Sequence, residues 1–195
     1  MKYHNKDIFE VIFFARGGQG AKTAAEIIAQ TATLEGKFVQ AFPNFGPERS
    51  GAPTKTYLRL SDSPIRTHEP VVDPDVVLVL DDTLLGSQDV ANNLDKKEAL
   101  IINTQLDEHE VRSRIAEHGG KFEGKIHPID ASGISLSIIG QPRPNTVILG
   151  KFVQVTEAVN LESLVAEFRH IFEAKVGKEI TDKNVAAIEK AYDTV

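Results

Sequence analysis

The chain has 195 residues, a formal net charge of -6 and 41% apolar residues. That length and apolar content are enough for one continuous core, so we expect a single domain spanning residues 1–195. The absence of cysteine excludes disulfides, thiolate nucleophiles and cysteine-ligated iron–sulfur clusters held by this chain itself. The acidic balance argues against a nucleic-acid partner, and no apolar segment approaches the roughly 20 residues of a membrane helix. With no targeting signal in the sequence, we expect a cytoplasmic protein.

The first 42 residues follow a strand–helix–strand pattern. Residues 8–15 are apolar and rich in Phe, Val and Ile, which predicts a strand, and a glycine-rich turn ends it. Residues 21–34 are good helix formers, and Gly36 is placed to end that helix. Residues 38–42 predict a second strand. This is a βαβ-like, Rossmann-like opening.

The next 19 residues divide into an irregular part and a strand. Prolines and glycines are spaced through residues 43–53 so that we expect neither helix nor strand to run through them. Residues 54–61 alternate, with Leu58 and Leu60 on one side. The pattern predicts a strand whose other side, with Lys55, Tyr57 and Arg59, is open to water or to a partner.

Strands and helices alternate through the middle of the chain. Residues 76–80 form a continuous apolar run, typical of a parallel strand covered on both faces. Further strands are predicted at 100–102 and 126–129, and helices near 83–93 and 107–118. The pattern indicates a three-layer α/β/α fold with a mostly parallel sheet.

The last third of the sequence favours helices over strands. Asn160 and Thr181 are plausible caps for the final two helices. The predicted helices cover residues 134–139, 145–155, 161–176 and 183–191. We therefore expect C-terminal helices to cover the sheet.

The turn Gly17-Gly18-Gln19-Gly20 is the first candidate site, because glycines let backbone N–H groups approach an anion at a helix N-terminus. The dinucleotide fingerprint G-x-G-x-x-G is incomplete, since Thr23 stands at its third glycine. The phosphate-binding P-loop pattern also fails, because Lys22 follows Ala21 rather than a glycine. A purely structural turn remains the alternative to a ligand contact.

A loop rich in Pro and Gly supplies the second candidate site. Phe45, Gly46, Pro47, Glu48 and Arg49 combine a rigid backbone with an aromatic ring and a guanidinium group. This combination is typical of residues that dominate a protein interface, so we expect partner contacts here. A self-packed surface loop is the alternative.

Two further features carry weaker predictions. Asp81-Asp82 follows a buried strand and could bind a cation, but a helix start is the favoured interpretation. The six histidines show no metal-ligand spacing. We predict no metal site and no catalytic residue in this chain.

In order and spacing, three segments together resemble the gamma subunit, or gamma domain, of the 2-oxoacid:ferredoxin or flavodoxin oxidoreductases, which include pyruvate synthase. The segments are residues 13–65, which contain both the Gly-Gly-Gln-Gly turn and the Gly-Pro-Glu-Arg loop, residues 73–82 (DPDVVLVLDD) and residues 144–150 (PNTVILG). One departure is Ser50, where a second arginine is often seen, which puts in doubt any contact that needs two adjacent guanidinium groups.

The resemblance implies a multi-subunit enzyme that converts a 2-oxoacid, with pyruvate the leading candidate, to an acyl-CoA. Thiamine diphosphate, Mg and the iron–sulfur clusters would belong to alpha, beta and delta-type partner subunits, and ferredoxin or flavodoxin would accept the electrons. The isolated chain would be inactive.

The resemblance also associates the gamma domain with coenzyme A. The implied contacts are Gly17, Gly18, Gln19, Gly20, Lys22 and Arg49. Two alternatives stay open: an assembly subunit without a ligand, and a stand-alone nucleotide-binding enzyme of the Rossmann type. An isolated chain could also form a homodimer through surfaces that partners normally cover.

Overall fold

A computed structural model describes residues 1–3, 6–44 and 51–194. The interface candidates Phe45, Gly46, Pro47, Glu48 and Arg49 lie outside the described residues. The strands are β1 (Ile8–Arg16), β2 (Phe38–Asn44), β3 (Pro53–Ser61), β4 (Val76–Val79), β5 (Ala99–Asn103) and β6 (Lys125–Ile129). The helices are α1 (Ala21–Leu34), α2 (Glu108–Glu117), α3 (Ala131–Ile139), α4 (Pro144–Thr156), α5 (Leu161–Val176) and α6 (Lys178–Asp193), with a 3₁₀ helix at Asp82–Gly86. None of these helices is long and apolar enough to cross a bilayer.

The six strands of the described residues form one sheet in the order β2-β3-β1-β4-β5-β6. Strands β1, β4, β5 and β6 pair in parallel. Strand β3 is antiparallel to both of its neighbours, β1 and β2. Since β2 then runs in the same direction as β1, only β3 is reversed, and the predicted mostly parallel sheet is confirmed. The Rossmann-like opening differs in one respect: β3 lies between the two parallel strands that α1 connects.

The sheet is covered on both faces, which confirms the three-layer architecture. One face packs against α1, α3, α4, α5 and α6, through alternate strand residues such as Phe9, Val11 and Phe13. The other face packs against the 3₁₀ helix and α2, through Ile12 and Phe14 among others. Because side chains alternate along a strand, one sequence supplies both cores.

Several sequence predictions are confirmed at the ends of helices. Helix α1 spans the predicted residues, and Gly36 follows it with a φ of 83°. The side chain of Asn160 accepts hydrogen bonds from the amides of Glu162 and Ser163 and so caps α5. The predicted cap at Thr181 is wrong, because Thr181 lies inside α6 and Gly177 precedes that helix. The Thr181 hydroxyl instead donates to the Gly177 carbonyl, 2.9 Å away.

The predicted helix over residues 83–93 is also wrong. Only the 3₁₀ helix forms, and the chain then continues in turns, with Asn93 at a positive φ of 61°. Leu84, Leu85 and Val90 are nevertheless buried against the sheet. The segment is turn-rich, but its buried apolar residues are spaced like those of a helix over a short window, which explains the wrong prediction.

The prediction that no strand enters residues 43–53 is wrong at both ends of that range. Strand β2 continues through Pro43 to Asn44, and β3 begins at Pro53. Strand β2 is at the edge of the sheet, where one side of the backbone has no pairing strand. Proline is tolerated there because its missing N–H removes no ladder bond on the open side.

Strand β3 is buried on both faces from Thr56 to Ser61, while Lys55 is half-buried, so the predicted exposed side is wrong for Tyr57 and Arg59. Tyr57 is 4% exposed and Arg59 is 2% exposed. The strand register places Arg59 directly opposite Glu10 on β1 and Gln40 on β2. The Arg59 Nε donates to Glu10 Oε1 at 2.8 Å, and its Nη1 donates to Gln40 Oε1 at 3.3 Å. Glu10 and Gln40 on the neighbouring strands therefore compensate the buried charge of Arg59, a residue that the sequence pattern predicted to be on the open side of the strand.

A partly buried histidine on β6 predicts a pH dependence of stability. Burial, together with the charges of Lys151 and Lys125, lowers the pKa of His127 to about 4. The ring also shares a hydrogen bond with the Tyr3 hydroxyl at 3.2 Å. Because the folded pKa is below the unfolded value of 6.5, the stabilising effect of a neutral His127 is present above about pH 6.5. It is lost as the pH falls toward 4.

We expect this effect to reach about 1–2 kcal/mol after allowing for the solvent exposure of the ring. Urea denaturation of the wild type and of His127→Asn between pH 7 and pH 4.5 measures it. The wild type should lose more stability over this range than the variant. Parallel loss in the two proteins would contradict the prediction.

Candidate ligand-binding cleft

A cleft of about 960 Å³ opens at the carboxyl ends of three neighbouring strands. The glycine turn follows β1, Asp81 and Asp82 follow β4, and Asn103 ends β5. Helices α4, α5 and α6 form the opposite wall. In open α/β sheets, ligands bind in the crevice outside the carboxyl ends of the strands, so the position is that of a ligand site.

The glycine turn has a backbone conformation that only glycine adopts readily. Gly18 has a φ of 94°, and Gly20 has a φ of 80° as the residue that precedes α1. A Cβ on Gly20 would lie 2.5 Å from Nδ2 of Asn145. Conformation and space both require glycine at this position, and the Asn145 side chain packs directly on the turn.

Two helices begin at this cleft without a side-chain cap. Gly20 precedes α1 and Arg143 precedes α4, and neither contributes a side-chain capping bond. The first amides of a helix have no partner within the helix, and the helix dipole adds partial positive charge there. Both ends therefore favour a negatively charged or strongly accepting group in the cleft.

The cleft is lined by both polar and apolar side chains. Its polar lining includes Ser132 and Asn103, and two cationic residues, Arg143 and Lys183, also line it. Its apolar lining includes Phe168 and Phe172, whose rings stack with centroids 4.6 Å apart. The remaining apolar lining residues are Leu80, Ile139, Val176 and Ile180. Such a cavity suits an elongated ligand with an anionic part and a less polar part.

Asp81 is the centre of a hydrogen-bonded network behind the turn. Its Oδ1 accepts from the Thr83 amide at 3.1 Å and from the Thr83 hydroxyl at 2.5 Å. Its Oδ2 accepts from Gln19 Nε2 at 2.6 Å and lies 3.3 Å from Arg16 Nε. Partial burial alone would raise the pKa of Asp81, but the hydrogen bonds from Thr83 and Gln19 and the charge of Arg16 lower it. The carboxylate is therefore ionised and engaged on both oxygens.

The structure separates the sequence candidates into two groups. Gly18, Gln19 and Gly20 line the cleft. Gly17 is next to the cleft, and its amide donates a hydrogen bond to the carbonyl of Ala52, just before β3, at 2.8 Å. Lys22 is on the exposed part of α1, where its Nζ lies 3.3 Å from Glu26. The sixth candidate, Arg49, is outside the described residues.

The prediction that Asp81-Asp82 starts a helix is confirmed. Asp81 caps the 3₁₀ helix that follows it, and Asp82 accepts from the Thr104 hydroxyl at 2.6 Å. Among the described residues, no cluster of three His, Asp or Glu side chains could hold a metal ion.

Sequence reasoning missed the second wall of the cleft. Arg143 and Asn145 approach the glycine turn from about 125 residues away in the chain. Their signal is the Pro-Arg-Pro-Asn run, in which Pro144 occupies the first helical position of α4. That run identifies a helix start, but only the tertiary fold places it against Gly20.

The fold and the cleft define a three-layer α/β protein with its site at the carboxyl edge of a mostly parallel sheet. Residues 10–194 match the family model "Pyruvate ferredoxin/flavodoxin oxidoreductase", and the chain belongs to this family. The chain is 42% identical to the pyruvate/ketoisovalerate oxidoreductases common subunit gamma of Thermococcus kodakarensis, over 95% of this chain and 96% of that protein. It is 40% identical to the pyruvate synthase subunit PorC of Methanothermobacter thermautotrophicus, over 96% of each protein.

A solved structure shows the same fold. The crystal structure of pyruvate oxidoreductase subunit PORC from Thermotoga maritima superposes with a TM-score of 0.85 at 38% identity, covering 96% of this chain and 97% of that one. The resemblance to the gamma subunits seen in the sequence is thereby confirmed.

Proposed function

We propose that this chain is the gamma subunit of a pyruvate:ferredoxin or flavodoxin oxidoreductase and that its cleft binds coenzyme A. The observation that carries the proposal is the cleft itself, at the carboxyl edge of the sheet in a chain about 40% identical to gamma subunits over nearly its full length. Partner alpha, beta and delta-type subunits would hold thiamine diphosphate, Mg and the iron–sulfur clusters. This chain has no cysteine and could not ligate such a cluster through thiolates.

The chemistry of coenzyme A fits the mixed lining of the cleft. Its pyrophosphate needs N–H donors and positive charge, which the starts of α1 and α4, together with Arg143, supply. Its pantetheine arm is long and only weakly polar, and the apolar side chains of Phe168 and Phe172 offer a surface for it. Gly18, Gln19 and Gly20 would contact the ligand through their backbone, with Gly17, Lys22 and Arg49 as further proposed contacts.

A single substitution at the rim tests the ligand assignment. We expect Arg143→Ala to raise the apparent KM for coenzyme A about tenfold or more in the assembled enzyme, because a charge-assisted hydrogen bond to phosphate is lost. The turnover number at saturating coenzyme A should change little. Steady-state pyruvate oxidation with a dye or ferredoxin as acceptor measures both constants.

Arg66→Ala is the matched control. Arg66 is exposed in the connection from β3 to β4, which joins the sheet at the edge opposite the cleft. The control should leave the KM for coenzyme A unchanged. If the wild type and Arg143→Ala had equal KM values for coenzyme A, coenzyme A would not bind beside Arg143. An assembly subunit without a ligand would then be favoured.

The complex itself is tested by anaerobic affinity purification of the tagged chain from its native cells. We expect thiamine-bearing and iron–sulfur subunits to co-purify, together with coenzyme A-dependent oxidation of pyruvate. Recovery of the chain alone, with control complexes intact, would contradict the subunit assignment.

A further inference from the structure

The side chain of Gln19 is engaged within the protein and does not extend freely into the cleft. Its Oε1 accepts from the Arg16 amide at 2.7 Å, and its Nε2 donates to Asp81 Oδ2 at 2.6 Å. One end of the amide group thus holds the last residue of β1, and the other holds the residue that follows the end of β4. The side chain spans the base of the glycine turn and connects two neighbouring strands.

The partner of Gln19, Asp81, is engaged within the protein on both of its oxygens. An ionised carboxylate accepts about four hydrogen bonds, two on each oxygen. Asp81 accepts two hydrogen bonds on Oδ1, both from Thr83, and one on Oδ2, from Gln19, while the Arg16 guanidinium forms an ion pair with it, Nε lying 3.3 Å from Oδ2. Most of the acceptor capacity of Asp81 is therefore used within the protein, which suits a role in fixing the groups around it.

Arg16 extends the same arrangement to a third strand. Its Nη2 donates to the Thr83 hydroxyl at 2.7 Å, and its Nη1 donates to the Gly51 carbonyl at 3.3 Å, just before β3. The backbone adds a second connection, since the Gly51 amide donates to the Gly17 carbonyl at 3.2 Å. The glycine turn is held from the β4 side and from the β3 side at once.

We propose that Gln19 is a positioning residue, which with Asp81 holds Gly18 and Gly20 in the left-handed conformation that exposes the start of α1 to the ligand. Flexible glycines lose more backbone entropy than other residues when they are ordered, so a turn with three of them needs such restraint. Preorganisation of the turn then reduces the entropic cost of binding. The inference rests on the proposed function only for the identity of the ligand as coenzyme A.

An exchange of donor and acceptor tests the pair in the assembled enzyme. Gln19→Glu alone places two carboxylates against each other and should loosen the turn. Asp81→Asn added to it restores a hydrogen bond of reversed direction, from the new amide to the new carboxylate, and keeps the net charge of the pair. The Thr83 bonds can persist in both variants. The single variant keeps the Asp81 carboxylate, and in the double variant the amide carbonyl oxygen at position 81 still accepts them.

Two readouts separate positioning from general loss of structure. Hydrogen–deuterium exchange across residues 16–20 reports the turn directly, and the KM for coenzyme A against kcat reports its effect on binding. We expect Gln19→Glu to speed exchange and raise the KM about tenfold with little change in kcat. The double variant should return both values to within about threefold of the wild type.

Unchanged exchange in Gln19→Glu, or a double variant as loose as the single one, would overturn the positioning role. The KM for coenzyme A of Asn145→Ala and Arg143→Ala distinguishes this failure from failure of the proposed function, because both residues line the cleft but neither belongs to the Gln19–Asp81 pair. Hydrogen–deuterium exchange could be faster in Gln19→Glu and restored in the double variant while none of these substitutions changes the KM for coenzyme A. In that case the positioning role stands and coenzyme A does not bind in the cleft.

Discussion

Gly150→Ala should destabilise the protein by at least about 3 kcal/mol, at the upper end of the cost of overpacking. Gly150 is at the crossing of α4 and α6, where an added Cβ would lie 1.9 Å from the Ile188 carbonyl oxygen and 2.9 Å from the Tyr192 amide nitrogen. Both obstacles are backbone atoms, so no rotamer change relieves the contact and the helices must separate. Urea or guanidinium denaturation of the full chain measures the loss.

Gly86→Ala is the control for this prediction. Its added Cβ would lie 3.3 Å from Nε2 of His118, an exposed side chain that can move away. Its φ is outside the left-handed region. We expect a change of less than about 1 kcal/mol. A stability loss in Gly150→Ala no larger than in Gly86→Ala would show that α4 and α6 are not packed backbone to backbone.

Arg59→Met should cost about 3 kcal/mol, because it leaves Glu10 without its cation in a largely buried position. The side chains of Arg59 and Glu10 are 3% and 18% exposed, and the pair is 2.8 Å apart. Replacing both partners removes the uncompensated charge. We therefore expect the double variant Glu10→Gln plus Arg59→Met to recover at least about half of the loss, measured as a double-mutant cycle.

Lys121→Met is the surface counterpart of that experiment. Lys121 pairs with Glu123 at 2.7 Å, but the two side chains are 85% and 63% exposed. Water solvates both charges with or without the pair, so we expect no measurable change in stability. Similar effects of Arg59→Met and Lys121→Met would mean that the β3 face is open to water, as the alternation of its residues suggested.

The order and type of most elements could be predicted from local sequence. Continuous apolar runs predict β4 and β5, and apolar residues at helical spacing predict α1 and α5. These patterns depend only on residues that are neighbours in the sequence. The errors arose where tertiary contacts decide. The buried Arg59 depends on Glu10 and Gln40 from two other strands, and the turns after Gly86 bury Val90 and Ala91 against the core.

The candidate site was predictable only in its first half. The glycine turn is contiguous in sequence, so its left-handed residues follow from Gly18 and Gly20. The opposing residues Arg143 and Asn145 belong to a helix start far along the chain, and no local pattern connects them to the turn. The internal engagement of Gln19 likewise depends on Asp81, at the end of a strand that pairs with β1 only in the fold.

The reversed direction of β3 places the end of β2 and the start of β3 at the edge of the sheet that carries the glycine turn. Strand β2 ends at Asn44 and β3 begins at Pro53, opposite the end of β1, so their connection leaves and rejoins the sheet beside the glycine turn. A partner subunit that contacted the ends of this connection would then be a neighbour of any ligand in the candidate cleft. Thermodynamic linkage makes such an arrangement reciprocal: whatever factor subunit association adds to ligand affinity, the ligand adds to the affinity between the subunits.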